Sequence, residues 1–218
     1  MRFLITAGPT REPIDPVRYL SNRSSGKMGY AIAEAAIEAG HEVVLISGSV
    51  DIDRPRGAAV IPISTSDEMF VAVHQQARNC DVLVMCAAVA DYKPAKVSKH
   101  KIKKRDANLS LELIPTRDIL ASLPKEDRDY VVVGFAAETE NVETNARKKL
   151  QEKNCDVVVA NDVSRNDSGM ESDENQVTIL FRDGEMKTIS RAPKKMVARE
   201  LIKIFENVCE KRLTKKIA

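Results

Sequence analysis

Four short runs, nearly all apolar and rich in valine, punctuate the chain: residues 42–47 (EVVLIS), 81–87 (DVLVMCA), 130–135 (YVVVGF) and 156–160 (DVVVA). None alternates apolar with polar residues, as a strand with one wet face would. Each therefore reads as a strand covered on both sides. Between them lie segments of helical type: residues 27–39, stopped by Gly40, a stretch opened by Ser66-Asp67-Glu68 and running to about Asn79, and residues 141–154. Strands that need cover on both faces, separated by helices that supply it, predict an α/β fold with a mainly parallel sheet in three Rossmann-like layers. Residues 2–6 and 59–63 add strands. Residues 109–113 read as a weaker strand and 117–122 as a short helix. The end differs: residues 176–181 and 185–190, joined at Asp183-Gly184, read as a C-terminal β-hairpin, followed by a helix over 193–213. No linker or internal repeat divides residues 1–218, so they read as one domain.

Composition excludes several classes. Thirty-four Lys and Arg against 32 Asp and Glu give a net charge of +2, which does not by itself point to a nucleic-acid binder. No apolar run approaches the roughly 18 residues of a membrane span, and residues 1–7 lack the pattern of a signal peptide. Cys80, Cys86, Cys155 and Cys209 are scattered, as reduced, buried cysteines of a cytoplasmic protein would be. The three histidines, at 41, 74 and 100, have no zinc-ligand spacing.

In a sheet of this kind ligands bind beyond the carboxyl ends of the strands. Four loops stand there: 7–26, 88–105, 135–140 and 161–175. The first is far longer than the usual strand-to-helix connection of about 2–6 residues. It ends in Ser24-Ser25-Gly26-Lys27-Met28-Gly29 at a helix start, which can be an anion cradle or an ordinary cap on a packed loop. It is not a P-loop, since Ser21 and Met28 break that pattern, and no G-x-G-x-x-G follows the first strand. The second loop holds Asp91 and Tyr92 and then seven Lys or Arg and no acid over 93–105. That run can be a solvated face, a triphosphate site or a nucleic-acid contact. Tyr92 and Lys96 have the Y-x-x-x-K spacing of a reductase, but Pro94 opposes the helix this needs. In the third, Phe135 precedes a helix whose Lys149 and Lys153 share one face, either to bind a ligand or to complement the helix C-terminus. The fourth opens with Asn161-Asp162-Val163-Ser164, which can hold a turn or a ligand.

Taken together, ITAGPTREPIDPVRYLSNRSSGKMGYAIA (5–33), CAAVADY (86–92), KIKK (101–104), GFAAET (134–139) and ANDVS (160–164) resemble the phosphopantothenoylcysteine synthetase family over essentially the whole chain. The resemblance implies a ligase of coenzyme A biosynthesis joining 4′-phosphopantothenate to L-cysteine. CTP would be the nucleotide, with Mg²⁺, an acyl-cytidylate intermediate, and pyrophosphate and CMP as products; ATP use is the alternative, and a NADPH-dependent reductase a more distant one. Asn22 would hold the intermediate and Lys101 would stabilise charge during the chemistry. Ser24, Gly26 and Lys27 would form the anion loop. Cys86, Ala87, Ala88, Asp91, Lys101, Arg117, Asp118, Ile119, Leu120, Phe135, Lys149 and Lys153 would form the nucleotide site, with Phe135 flanking the base and Asp91 serving the ribose or the metal. Arg117 stands where the family usually has proline. The resemblance further implies a homodimer whose sites the neighbour completes, with apolar Ile14, Val17, Tyr19 and Leu20 as packing residues. It also implies a flavin-dependent decarboxylase, separate or fused, as partner, no flavin on this chain, and no nucleic-acid or membrane partner.

Overall fold

The computed structural model describes residues 1–104, 108–126, 128–138, 140–162 and 172–217. In chain order the elements are β1 (Arg2–Ala7), β2 (Arg11–Pro13), β3 (Tyr19–Ser21), α1 (Lys27–Glu38), β4 (Glu42–Ser47), β5 (Ala59–Pro62) and α2 (Ser66–Gln76). There follow β6 (Val82–Met85), β7 (Tyr92–Pro94), β8 (Leu113–Pro115), β9 (Val131–Glu138), α3 (Val142–Glu152), β10 (Val157–Asp162), β11 (Glu174–Phe181), β12 (Met186–Pro193) and α4 (Lys194–Ile217).

Eight strands form one sheet in the order β12-β11-β10-β9-β6-β1-β4-β5. All neighbours from β5 to β10 pair in parallel, and β11 and β12 add an antiparallel hairpin at one edge. The mainly parallel sheet and the terminal hairpin agree with the sequence expectation. The order reverses between β1 and β6, which open into a crevice there. Both edges are blunt: β5 has four residues and ends at Pro62, while β12 ends at Pro193 and carries exposed Lys187 and Arg191.

Side-chain alternation along each strand feeds two cores. Phe3 and Ile5 meet Tyr30 and Ile32 of α1 and Leu201 and Phe205 of α4 on one face. Leu4, Ile46, Val132 and Val158 meet Met69 and Val73 of α2 and Ala146 of α3 on the other. α1 lies close on β1 because Gly29 has no side chain: a Cβ there would sit 2.6 Å from the Ala7 Cβ and 3.2 Å from the Thr6 carbonyl oxygen. Gly29→Ala is therefore expected to destabilise by about 1–3 kcal/mol of overpacking, despite a helix-propensity gain near 1 kcal/mol. Urea unfolding checks this, and an unchanged or higher midpoint would contradict the packing argument.

Three sequence expectations are corrected. Residues 117–122 form turns and no helix: the Asp118 carboxylate accepts from Ala121 N at 2.8 Å, and the Thr116 hydroxyl donates to the Ala90 carbonyl. The chain there is held by side-chain bonds that compete with a helical ladder. The weak strand lies later, at β8, where it pairs with β7. Helix α2 is capped by Thr65 and not by Ser66, with a reciprocal bond between Thr65 and Glu68. Loop 7–26 also contains a small ribbon, β2–β3. Arg105, Thr139, Val163 and Ser164, named above in motifs, lie outside the described residues.

Candidate functional site

The loops after β1 and β6 are sewn together across the crevice. Thr6 Oγ1 accepts from Ala87 N at 3.1 Å, Gly8 O from Ala88 N at 3.0 Å, and Thr10 Oγ1 from Ala90 N at 3.0 Å. Asn22 reaches over this seam and donates through Nδ2 to the carbonyls of Ala88 and Val89 at 3.3 and 3.1 Å. Gly26 starts α1 with φ +77°, and no side chain caps the helix there. Only glycine fits: a Cβ would meet Val50 at 2.6 Å and Gly8 at 3.4 Å. The first-turn amides of α1, unopposed by any acidic residue in that turn, thus face the cleft.

Three adjoining hollows make one trough. The middle one, about 290 Å³, is lined by Asn22, Ser24, Gly26 and Lys27 on one side and by Cys86, Ala87, Ala88 and Asp91 on another. Phe135 and Lys149 close it. They also line the next hollow, about 390 Å³, together with Ala87, Asp91, Arg117, Asp118, Ile119, Leu120 and Lys153. In the other direction Asn22, Ser24 and Lys27 are shared with a third hollow, about 460 Å³, that Arg11, Arg23 and Ser49 complete. The trough therefore gathers every residue that the resemblance assigns to catalysis, the anion loop or the nucleotide site, except Lys101. That lysine is exposed on the segment after β7 and lines none of the three.

Charge in the trough is arranged as well as counted. Lys149 donates to the Phe135 carbonyl at 2.5 Å, and burial pushes its pKa down. Lys153 pairs with Asp118 at 2.6 Å, which raises the lysine. Burial pushes Asp118 up, but the bonds from Lys153 and Ala121 N prevail and hold its carboxyl below the usual range. Lys27 bonds Asp173 at 2.5 Å. Burial pushes the Cys86 thiol up to about 12, which favours the protonated, less nucleophilic form. The Arg117 guanidinium stacks on Phe70 at 3.8 Å and donates to Asp67 at 3.1 Å. Its bulk is thus anchored on α2, and the turn that follows keeps its shape without proline. Tyr92 lies on β7, so Tyr92 and Lys96 do not share a helical face.

Sequence reasoning missed Lys194 and Asn175, and left Asn161 open between a turn and a ligand. All three line the middle hollow, and the Asn161 Oδ1 is buried without a hydrogen-bond partner. Lys194 opens α4, is 5% exposed, and its pKa is lowered by burial and by Lys27. Lys194 and Asn175 come from the last helix and the hairpin, where no motif drew notice, whereas Asn161 lies in β10 within the ANDVS motif. Among the described residues no group of three metal-ligating side chains occurs. Asp91, which lines two hollows, suits a Mg²⁺ carried mainly by phosphates.

A larger cleft, about 680 Å³, lies at the opposite end of the sheet. There Asp156 accepts from Arg128 at 2.6 Å, from Val132 N at 2.8 Å and from Arg212 at 3.2 Å. The Arg182 and Arg212 guanidiniums there also cap backbone carbonyls. It lies at the amino ends of the parallel strands and is read as a structural anchor.

A doubly wound sheet with an uncapped helix N-terminus, several lysines and a shaped trough at its switch point defines a binding protein for phosphorylated ligands of the Rossmann-like class. Residues 1–208 match the family described as the DNA/pantothenate metabolism flavoprotein C-terminal domain, and the chain belongs to that family. It is 48% identical over 200 residues to the coenzyme A biosynthesis bifunctional protein CoaBC of Bacillus subtilis (strain 168), covering 91% of this chain and 49% of that protein. The chain thus spans about half the length of the curated relatives it matches. A crystal structure of the C-terminal domain of a CoaBC protein superposes with a TM-score of 0.82 at 44% identity, covering 96% of each chain. A Cab2 mutant in complex with phosphopantothenate-cysteine shares the fold, with a TM-score of 0.76 at 18% identity, covering 97% of this chain and 88% of that one.

Proposed function

We propose that this chain, as one synthetase domain over residues 1–218, joins 4′-phosphopantothenate to L-cysteine at the expense of CTP. The observation that carries this is the single trough, which brings Asn22, the α1 N-terminus, Phe135, Lys149 and Lys153 together in the order the chemistry needs. The base lies in the hollow of residues 117–120 beside Phe135. Lys149 and Lys153 hold phosphates, Asp91 serves the ribose or Mg²⁺, and the reacting α-phosphorus sits near Gly26 and Asn22.

In the first step a carboxylate oxygen of 4′-phosphopantothenate attacks the α-phosphorus. A P–O bond forms, and the bond to the leaving pyrophosphate breaks. In the second step the cysteine amine attacks the acyl carbon, loses a proton and expels CMP. Both steps gather negative charge at points between fixed donors, and this accounts for most of the acceleration. Asn22 suits both, because its Nδ2 bonds to Ala88 and Val89 are exposed and can be exchanged for an oxyanion, while Oδ1 can accept from the amine. Exposed Val17 and Tyr19 beside the trough support a homodimer, and the absence of Lys101 from the trough lining supports a site completed by the neighbour's lysine. Four free cysteines suit the cytoplasm, and a flavin-dependent decarboxylase, fused as in the longer relatives or separate, would consume the product by removing the carboxylate that cysteine brings in.

The test is pyrophosphate release with 4′-phosphopantothenate, Mg²⁺ and either CTP or ATP, with and without L-cysteine. Release is expected to require 4′-phosphopantothenate, to become multiple-turnover with cysteine, and to prefer CTP. Preference for ATP would revise the base and direct attention to residues 116–120. No release under any combination would sink the ligase reading.

A further inference from the structure

The Asp15 side chain is fully buried in a turn that otherwise faces solvent. The turn links β2 to β3 and is closed by Ile14 N and Asp15 N donating to the Arg18 carbonyl at 2.8 and 3.2 Å. Asp15 Oδ1 accepts from Val17 N and Arg18 N at 2.8 and 2.9 Å. Oδ2 accepts from Arg18 Nε and Nη2 at 3.0 and 2.5 Å, and from a residue 87 positions along the chain, Ile102, through its N–H at 3.1 Å. Arg18 Nη2 then donates to the Ile102 carbonyl at 2.8 Å. One ion pair thus grips both polar groups of one residue, as a neighbouring strand would.

The gripped segment needs it. Residues 98–104 pair with no strand among the described residues. Besides the two bonds at Ile102, Ser98 N donates to the Ile14 carbonyl at 3.0 Å, again to the same turn. Lysines at 96, 99, 101, 103 and 104 give the segment a like charge that repels it from other cationic surfaces. The buried carboxylate is the one acidic group in the turn, and the Arg18 partner holds that carboxyl well below the usual range, so it stays ionised.

We propose that Asp15, acting through Arg18, is a positioning residue that fixes the Lys101 segment for catalysis. This rests on the ligase reading and on the role given there to Lys101. Because Lys101 directly precedes Ile102, the clamp sets its backbone position. The turn also lies in the loop that carries Asn22, so one element sets the geometry of both catalytic groups.

The test uses Asp15→Ala and the milder Asp15→Asn in the full chain, with two readouts. Limited trypsin treatment is expected to cut after residues 99–104 about tenfold faster than in the parent, with other sites unaffected, because local opening exposes the segment. The kcat for amide formation is expected to fall about 10- to 100-fold, with the KM for CTP within about twofold, as misplacement of a catalytic group does. In a Lys101→Gln background, Asp15→Asn should add almost nothing, since the two act as one unit. Unchanged cleavage would overturn the clamp. Faster cleavage with unchanged kcat, or additive losses in the double variant, would overturn the positioning role. Failure of the ligase reading is separate, because the parent protein would then release no pyrophosphate.

Discussion

Asn22→Asp is expected to lose about 10²- to 10³-fold in turnover, the scale of removing one oxyanion donor from an acyl-transfer site. The substitution keeps the size of the side chain but replaces the donor that bonds Ala88 and Val89 with a carboxylate facing two carbonyl oxygens. It also places a negative charge where the substrate carboxylate and the α-phosphate must meet. Stability should hardly move, within about 0.5 kcal/mol, because Asn22 is exposed and packs into neither core. Pyrophosphate release and thermal unfolding measured on one preparation separate the two effects. A wild-type rate removes Asn22 from the mechanism. The same variant tests the shared site. Mixed one to one with Lys101→Gln, subunits that exchange form heterodimers carrying one intact site each, and about a quarter of the parent activity should return. If each chain uses its own Lys101, mixing restores nothing.

Asp156→Ala is expected to lower stability by about 3–5 kcal/mol, since it strips the partner from a buried cation. For a chain of this size that is about 6–20 °C in Tm. The Arg128 side chain is only 3% exposed, its Nε is buried without a hydrogen-bond partner among the described residues, and its Nη2 pairs with the Asp156 carboxylate. The same carboxylate ties Arg212 of α4 to the start of β9, so its loss loosens the helix that shares one face of the sheet with α1. Specific activity per folded molecule should stay near that of the parent, because the trough lies at the other end of the sheet. Urea unfolding checks the first claim. Exposed Arg191 and Glu174 supply the contrast: their pair should contribute under about 1 kcal/mol.

What the sequence revealed, and what it hid, divides along physical lines. The strands buried on both faces must be apolar throughout, so their Val-rich runs were visible without any alignment. The trough residues were visible because the long loop after β1 and the lysine-bearing helix α3 carry distinctive motifs. The ribbons β2–β3 and β7–β8 were not, because strands of three residues get their stability from docking, which leaves no periodic trace. Residues 117–122 read as helical by composition, yet Asp118 and Thr116 bond elsewhere. Lys194 and Asn175 come into the trough through the hairpin and α4, whose local sequence resembles any surface segment. Asp15 was not singled out. Its partner Ile102 lies 87 residues away, beyond the reach of local reading.

The blunt edges of the sheet limit how molecules of this kind can assemble. An open row of backbone donors and acceptors invites further strands, from a second copy or from a growing fibril. Here one border is too short and stops at Pro62, and the other presents Lys187 and Arg191 and stops at Pro193. Lateral growth is discouraged on both flanks. If the proposed homodimer forms, self-recognition would fall to the ribbons, where Val17, Tyr19, Tyr92 and Ile114 stand exposed. Assembly and active-site architecture would then be read out by the same few residues, so that a change selected in one would be felt in the other.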